Sequence, residues 1–251
     1  MVEIAQDWLA GFKSISLSEM GTVGVNNRIE SKFIIPESLL EPMLKILLND
    51  YCILNVNGCI VQSYLTRYFD TGDFRLYLDH HNGRSNRIKV RGRLYESTGD
   101  CFWEIKQRVK EYQSIKTRIE LSCLPKIVDD ALMTGVLEAM PSLEPKLDNH
   151  FNRITLCDKL LTERITIDMG IKWCQENKQE ALTALAIVEI KQDRFCNSHP
   201  LTVWLKERRV HASSFSKYSI GVSKLYPHLK HNNFKPILIY LDKYAATISN
   251  Y

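Results

Sequence analysis

The protein has 251 residues, 45% hydrophobic and 25% charged, with a formal net charge of +4. These values fit a globular chain, exclude collagen-like and disordered classes, and are too mild alone to indicate a polyanion partner. Seven cysteines without a CxxC pair exclude a complete disulfide framework and a zinc spacing. With no apolar run of signal-peptide or membrane-span length, the chain reads as soluble and cytoplasmic, with no membrane span of its own.

Residues 2–13 place Ile4, Trp8, Leu9 and Phe12 at helical spacing and predict a docking helix, and the Ser-, Gly- and Asn-rich stretch 14–26 predicts a loop. A strand is expected over 27–35. A helix then runs from Pro36 to about Asn49, packing through Leu39, Leu40, Met43, Leu44, Leu47 and Leu48, with Pro42 bending it or delaying its start. Residues 59–70 read as a strand and 73–79 as a short helix ended by His80-His81-Asn82-Gly83. Adjacent histidines seldom converge on one metal ion, so this pair reads as a solvated turn. Strands at 86–95, 101–109 and 112–122, joined by short polar links, form an antiparallel meander. Residues 125–140 carry helical spacing. Strands at 151–157, 163–169 and 182–193 follow, and helices at 200–209, 217–226 and 236–248 close the chain. Without repeats, low-complexity tracts or an obvious linker, the expectation is one domain over residues 1–251.

The strands share a charge pattern. Arg87, Lys89, Arg91 and Arg93 alternate with Ile88, Val90, Gly92 and Leu94, so the four cations face one way. The same alternation places Arg28, Glu30, Lys32, Glu104, Lys106, Arg108, Lys116, Arg118, Glu120, Arg153, Arg164, Asp168, Glu189 and Lys191 on equivalent faces. Thirteen cations stand there against five carboxylates, an excess larger than the net charge of the whole chain. An ordinary solvated sheet face pairs unlike charges across strands. This one requires an outside anion, in a basic concave or tunnel-like site. Because most aromatic and aliphatic residues of these strands take the opposite register, base stacking and hence nucleic acid are disfavoured, and phosphate, which arginine grips bidentately, is favoured. The carboxylates offer oxygen ligands to Mg²⁺ or Mn²⁺. Glu189, on an otherwise apolar strand, is the sharpest candidate, with a Glu–Lys or Glu–Arg bridge within the sheet as its alternative role.

Arg28-Ile-Glu-Ser-Lys-Phe33, Arg67-Tyr-Phe-Asp-Thr71, Lys89-Val-Arg-Gly-Arg-Leu-Tyr95, Glu104-Ile-Lys106, Lys116-Thr-Arg118, Arg164-Ile-Thr-Ile-Asp168, Val188-Glu-Ile-Lys191 and Ser214-Phe-Ser-Lys-Tyr-Ser-Ile-Gly221 follow one another in this order. In that they resemble the catalytic domain of the vacuolar transporter chaperone (VTC) family, the polyphosphate polymerase branch of the triphosphate tunnel metalloenzymes. The resemblance covers about residues 27–225. It implies an α+β fold: a closed antiparallel eight-stranded β-tunnel with a charged interior, flanked by helices, with the N-terminal helix and the C-terminal helices from about 200 onward packing outside.

It also implies transfer of the ATP γ-phosphate to inorganic polyphosphate with Mn²⁺ or Mg²⁺. Arg91, Arg93, Lys106, Lys217 and Glu189 are then the catalytic set. Lys32, Lys89, Lys116, Arg118, Arg153, Arg164 and Ser216 bind phosphate, with Lys217 near the tunnel mouth. Glu189, with Glu30 and Glu104, holds the metal. Arg87 and Lys89 are expected nearer one rim, contributing field more than grip. Arg28 stands where the hydrolytic branches have the first glutamate of Glu-x-Glu-x-Lys, which favours a polymerase over the alternative inorganic tri- or polyphosphatase. A non-catalytic polyphosphate or nucleotide sensor is the other rival. Any membrane partner is expected to be a separate protein.

Overall fold

A computed structural model of the protein describes residues 6–21, 29–110, 113–192 and 199–248. Arg28 and residues 2–5 of the expected N-terminal helix lie outside the described residues. The strands are β1 (Lys13–Ile15), β2 (Ile29–Pro36), β3 (Tyr51–Leu54), β4 (Gln62–Thr71), β5 (Arg87–Tyr95), β6 (Cys101–Lys110), β7 (Gln113–Leu121), β8 (Leu143–Asp158), β9 (Glu163–Gln175), β10 (Lys178–Ala181) and β11 (Leu185–Gln192). The helices are α1 (Gln6–Leu9), α2 (Leu17–Met20), α3 (Leu40–Leu47), α4 (Arg75–His81), α5 (Pro200–Glu207), α6 (Lys217–Leu225) and α7 (Lys235–Ile248). Eight strands form an antiparallel path in the order β2-β11-β9-β8-β4-β5-β6-β7, with the short β1, β3 and β10 attached at its flank. The fold is α+β.

The two ends of that path, β2 and β7, do not pair with each other among the described residues, so the expected closed barrel is instead a curled, open sheet. The reason lies at the seam. Ala212 bridges Phe33 and the Ser213 amide donates to the Lys32 carbonyl at 2.7 Å, so segment 212–213 occupies the β2 edge that a closed barrel would give to β7. β7 itself is exposed over most of its length. The curl still brings the ends near each other: Lys106 on β6 reaches Glu30 on β2 at 4.0 Å.

Alternation decides what covers each face. On the convex side, Phe33, Ile35, Ile154, Leu156, Ile165, Ile167, Val188 and Ile190 are buried under Leu40, Met43, Leu44 and Leu47 of α3 and Leu201 and Leu205 of α5. Each such side chain contributes about 2 kcal/mol by leaving water. A second convex patch, Ile88, Val90, Trp103 and Ile105, is covered by Leu76 of α4 and by Leu132 and Leu137. That cover is not the helix expected over 125–140. Its one regular piece is a single 3₁₀ turn at Gly135–Leu137. Asp129 caps the Leu132 amide with its own carboxylate, and Gly135 takes φ +59°, so local turns displace the helix.

The C-terminal helix α6 does not pack outside. It lies on the concave face, where Tyr218 stacks on Tyr68 at 5.0 Å and Ile220 and Val222 join Ile34, Ile171, Trp173 and Ile187 in a third cluster. Gly170 makes this possible. At φ +59°, beside a register shift between β8 and β9, it adds a bulge that turns Ile171 and Trp173 onto the same face as Asp168. Gly221 allows the close contact, since a Cβ there would stand 2.4 Å from Trp173 Cδ1. Gly221→Ala is expected to lower stability by about 2 kcal/mol, outweighing the gain in helix propensity, as read by thermal or denaturant unfolding.

The remaining differences from expectation are local. Capped by Ser16 and Glu19, α2 follows β1 where a loop was expected. β3 and the first half of β8 were not anticipated; β8 carries Pro145 at a register shift, where a missing N–H is tolerated. His80 and His81 are not a solvated turn. His81 is 2% exposed and accepts the Asn233 amide on Nε2 at 3.2 Å, and His80 stacks on Phe234 at 5.8 Å.

Candidate functional site

Away from the register shifts in β8 and β9, alternate residues of the eight-strand path face the hollow, and pairing aligns them in rows. Three carboxylates organise the rows. Glu104 sits opposite Arg91 and Arg118 on its two neighbouring strands. It accepts from Arg91 Nε at 2.6 Å, with Arg118 at 3.7 Å and Arg93 at 3.9 Å. Asp168, 1% exposed, receives Arg153 Nε at 2.5 Å and Nη2 at 2.8 Å and pairs with Lys217. Glu189 pairs with Lys191 at 2.5 Å and with Lys32 at 3.4 Å.

These ion pairs set the protonation states. Burial works to raise the Glu104 and Asp168 carboxyls, but the cations around each outweigh it and hold both down at about 2. Lys191, Lys32 and Arg153 likewise drive Glu189 well below the usual carboxylate range against the pull of burial. Burial lowers Lys217 to about 8, even with Asp168 beside it. Burial, and then Lys106, Lys32, Arg87 and Arg91, push Lys89 well below the usual lysine range; its Nζ donates to Ser216 Oγ at 3.0 Å.

A polyanion prefers the protonated ammonium. As pH rises through the free protein's Lys217 value of about 8, the affinity of any polyanion bound beside it would therefore fall. Titration calorimetry with tripolyphosphate at pH 7 and pH 9 is expected to show roughly tenfold weaker binding at the higher pH.

Sequence reasoning missed an aromatic floor on this face. Tyr64 and Phe151 stack at 5.1 Å with a 3° tilt. The Arg93 guanidinium lies 5.5 Å above Tyr64, that of Arg153 lies 5.3 Å from Tyr64, and Lys217 Nζ is 4.5 Å from the Phe151 centroid. These contacts add to the hold that Asp168 has on Arg153 and Lys217 and that Thr66 has on Arg93. Asp70 was also missed, although it lies in the Arg67-Tyr-Phe-Asp-Thr71 motif. Fully buried, it accepts the Leu76 and Tyr77 amides at 2.8 Å each and the Tyr218 hydroxyl, and so fixes α4 to α6.

Of the expected residues, Arg91, Arg93, Lys89, Lys106, Arg153, Lys217, Ser216, Lys32, Glu30, Glu104 and Glu189 all gather in or beside the hollow. Lys217 is inside it, its side chain 13% exposed, rather than at a mouth. Lys116 and Arg118 face it from the exposed strand β7, Arg118 covering the Phe102 ring at 3.5 Å. Arg164 is one row further along, opposite Lys191. Glu104 is not brought to the other two candidate metal carboxylates, and no cluster of three metal-ligating side chains forms among the described residues. Glu30 and Glu189, however, both contact Lys32, so two carboxylates converge on one cationic position. A magnesium-type ion that takes one or two carboxylates and completes its shell with phosphate oxygens and water fits that donor set. A cavity of about 920 Å³ opens beside it, with Glu30, Lys32, Lys89, Lys106 and Ser216 in its wall.

A family model described as the VTC domain matches residues 27–226. Among curated proteins no relative matches. The similar solved structures include a “putative adenylate cyclase” from Vibrio parahaemolyticus, with 12% identity and a TM-score of 0.48 over 79% of this chain and 98% of that one. Another is HpAC1 from Hippeastrum, described with a dominant triphosphatase activity, at 15% identity and TM-score 0.47 over 78% and 96%. The Pct1 RNA triphosphatase of S. pombe is similar at 10% identity and TM-score 0.32 over 90% and 86%. Matched by its family model from the first long strand to the end of α6, the chain belongs to the VTC domain family.

Proposed function

We propose that the protein is a metal-dependent polyphosphate polymerase that transfers the γ-phosphoryl group of ATP to the end of a polyphosphate chain held in the hollow of the sheet. The observation that carries this reading is the surplus of cations. Glu104, Asp168 and Glu189 are each already shared between at least two of them, and Lys89 has no carboxylate partner among the described residues. An anion with many closely spaced charges fills that deficit.

Phosphoryl transfer needs an in-line acceptor oxygen and neutralised equatorial oxygens more than it needs a protein nucleophile. Arg91, Arg93 and Arg153 supply fork-shaped donors, and Glu104 and Asp168 fix the direction in which two of those forks point. Lys217, set by the first turn of α6, adds a charge beside Arg153. The acceptor is an already anionic phosphate oxygen, so no strong base is required. Glu189 and Glu30 would hold a divalent ion, and the chemistry it would supply there is Lewis-acid neutralisation of phosphate charge.

Glu189→Gln is expected to lose metal stimulation and at least about a hundredfold in turnover, while metal-free polyphosphate binding stays equal or tightens because a negative charge has gone. Steady-state rates across a Mn²⁺ titration, with binding measured in chelator, check both halves. The reading itself is tested by incubating the protein with ATP and Mn²⁺ and resolving the products on a gel. A polyphosphate ladder supports the polymerase, orthophosphate alone identifies a hydrolase, and unchanged ATP despite binding identifies a sensor.

A further inference from the structure

The start of α6 brings together a serine and a lysine whose pairing charge neutralisation does not explain. Ser216 caps the helix, and its Oγ accepts the Ser219 amide at 3.3 Å and the Ser219 hydroxyl at 3.1 Å. Lys89 reaches across from β5 and sets its Nζ 3.0 Å from the same oxygen. Helix capping accounts for the Ser219 amide contact. It does not account for a lysine that has no carboxylate partner among the described residues and spends its contact on a hydroxyl. Burial, with Lys106, Lys32, Arg87 and Arg91 around it, favours the neutral amine at Lys89. Oxygen and amine both open on the cavity of about 920 Å³, whose wall also holds Lys32, Lys106 and Glu30.

These are the parts of an activated serine. A hydroxyl is a weak nucleophile and needs a base within hydrogen-bond reach. Lysine fills that role where its surroundings strip the proton. The negative charge that develops on Oγ during attack needs donors. The Ser219 N–H and O–H supply two, and the N-terminal end of a nine-residue helix adds its dipole.

We infer that Ser216 is a self-phosphorylation site, its Oγ attacking the γ-phosphorus of a nucleoside triphosphate in the cavity with Lys89 as general base. The Oγ–phosphorus bond forms as the bond from phosphorus to the β,γ-bridging oxygen breaks. The nucleoside diphosphate leaves with that oxygen, and the serine proton passes along the existing contact to Lys89 Nζ. A phosphoserine dianion then stands beside a lysine ammonium, so the step creates the counter-charge that Lys89 lacks. The inference rests on the reading above that ATP is the phosphoryl donor. It adds an acceptor within the protein itself, used when no polyphosphate end is in place.

The test follows the covalent bond. Protein is incubated with Mn²⁺ and ATP radiolabelled in its γ-phosphate, without polyphosphate, then denatured and washed in acid to remove nucleotide and polymer. The wild type is expected to retain acid-stable label approaching one phosphoryl group per chain, and peptide mapping by mass spectrometry to place it on Ser216. Ser216→Ala is expected to lose the label. Ser214→Ala, which alters the same cavity wall, is expected to label as the wild type does. Lys89→Arg keeps a cation but not a base, so labelling should slow by at least about a hundredfold. Thermal melts show that each variant is folded. Label absent from the wild type, or undiminished in Ser216→Ala, overturns the site. Labelling of Lys89→Arg within about threefold of wild type overturns the assignment of the base. The product gel is read separately. A protein that makes a ladder but carries no label keeps the polymerase reading and loses this one, and label on Ser216 without a ladder does the reverse.

Discussion

Arg91→Ala is expected to abolish polymer synthesis, with a loss of at least about a hundredfold to a thousandfold in kcat, while the protein stays folded. Both effects follow from how Arg91 is held. One nitrogen is tied to Glu104 at 2.6 Å, which directs the rest of the fork into the hollow. Removing it does not leave Glu104 alone, because Arg93 and Arg118 remain at 3.9 and 3.7 Å. The stability change should therefore stay within about 1 kcal/mol. Arg91→Lys should recover little, since a lysine cannot both hold Glu104 and present a planar pair of donors to phosphate. Single-turnover rates beside a thermal melt check the split. A variant retaining more than a third of wild-type turnover removes Arg91 from the machinery.

Asp168→Asn should have the opposite signature, a large loss of stability. Its carboxylate is buried and bonded to both Arg153 and Lys217, whose side chains are 15% and 13% exposed. Neutralising it leaves two nearly buried cations without their counter-charge, at a cost of about 3–5 kcal/mol. For a chain of this size that corresponds to a fall in melting temperature of roughly 10 °C. The same reasoning predicts rescue. Tripolyphosphate replaces the missing negative charge, so it should raise the melting temperature of the variant by more than it raises that of the wild type. Scanning calorimetry with and without ligand reads both numbers. A variant melting within 2 °C of wild type would contradict the role of Asp168 as the shared anchor.

Much of this site was legible in the sequence because strands write their faces at period two. Arg91, Arg93, Glu104, Lys106, Arg153 and Glu189 could be assigned to one face from alternation alone, and the meander of β5, β6 and β7 followed from its short links. Alternation fails where the backbone breaks its own period. The bulge at Gly170 reverses the facing of Ile171 and Trp173, and that reversal lets α6 enter the hollow. Helix α6 mixes serine, glycine and lysine with apolar residues, a composition that gives no sign of which surface will receive it. Tyr64 and Phe151 were hidden for a related reason. Aromatic rings at inward positions read as core, whereas here they are both core and the floor under Arg93 and Arg153. The open seam was not legible at all, because the segment that takes the β2 edge, 212–213, is separated from it by most of the chain.

On the reading proposed above, the hollow of the sheet holds a chain of phosphates. A crystal structure of the protein with tripolyphosphate and Mn²⁺ tests it most directly. Phosphate density is expected between Arg91, Arg93, Arg153 and Lys217, with the metal against Glu189. Density confined to the convex face or the outer surface, with the hollow filled by water alone, would contradict it.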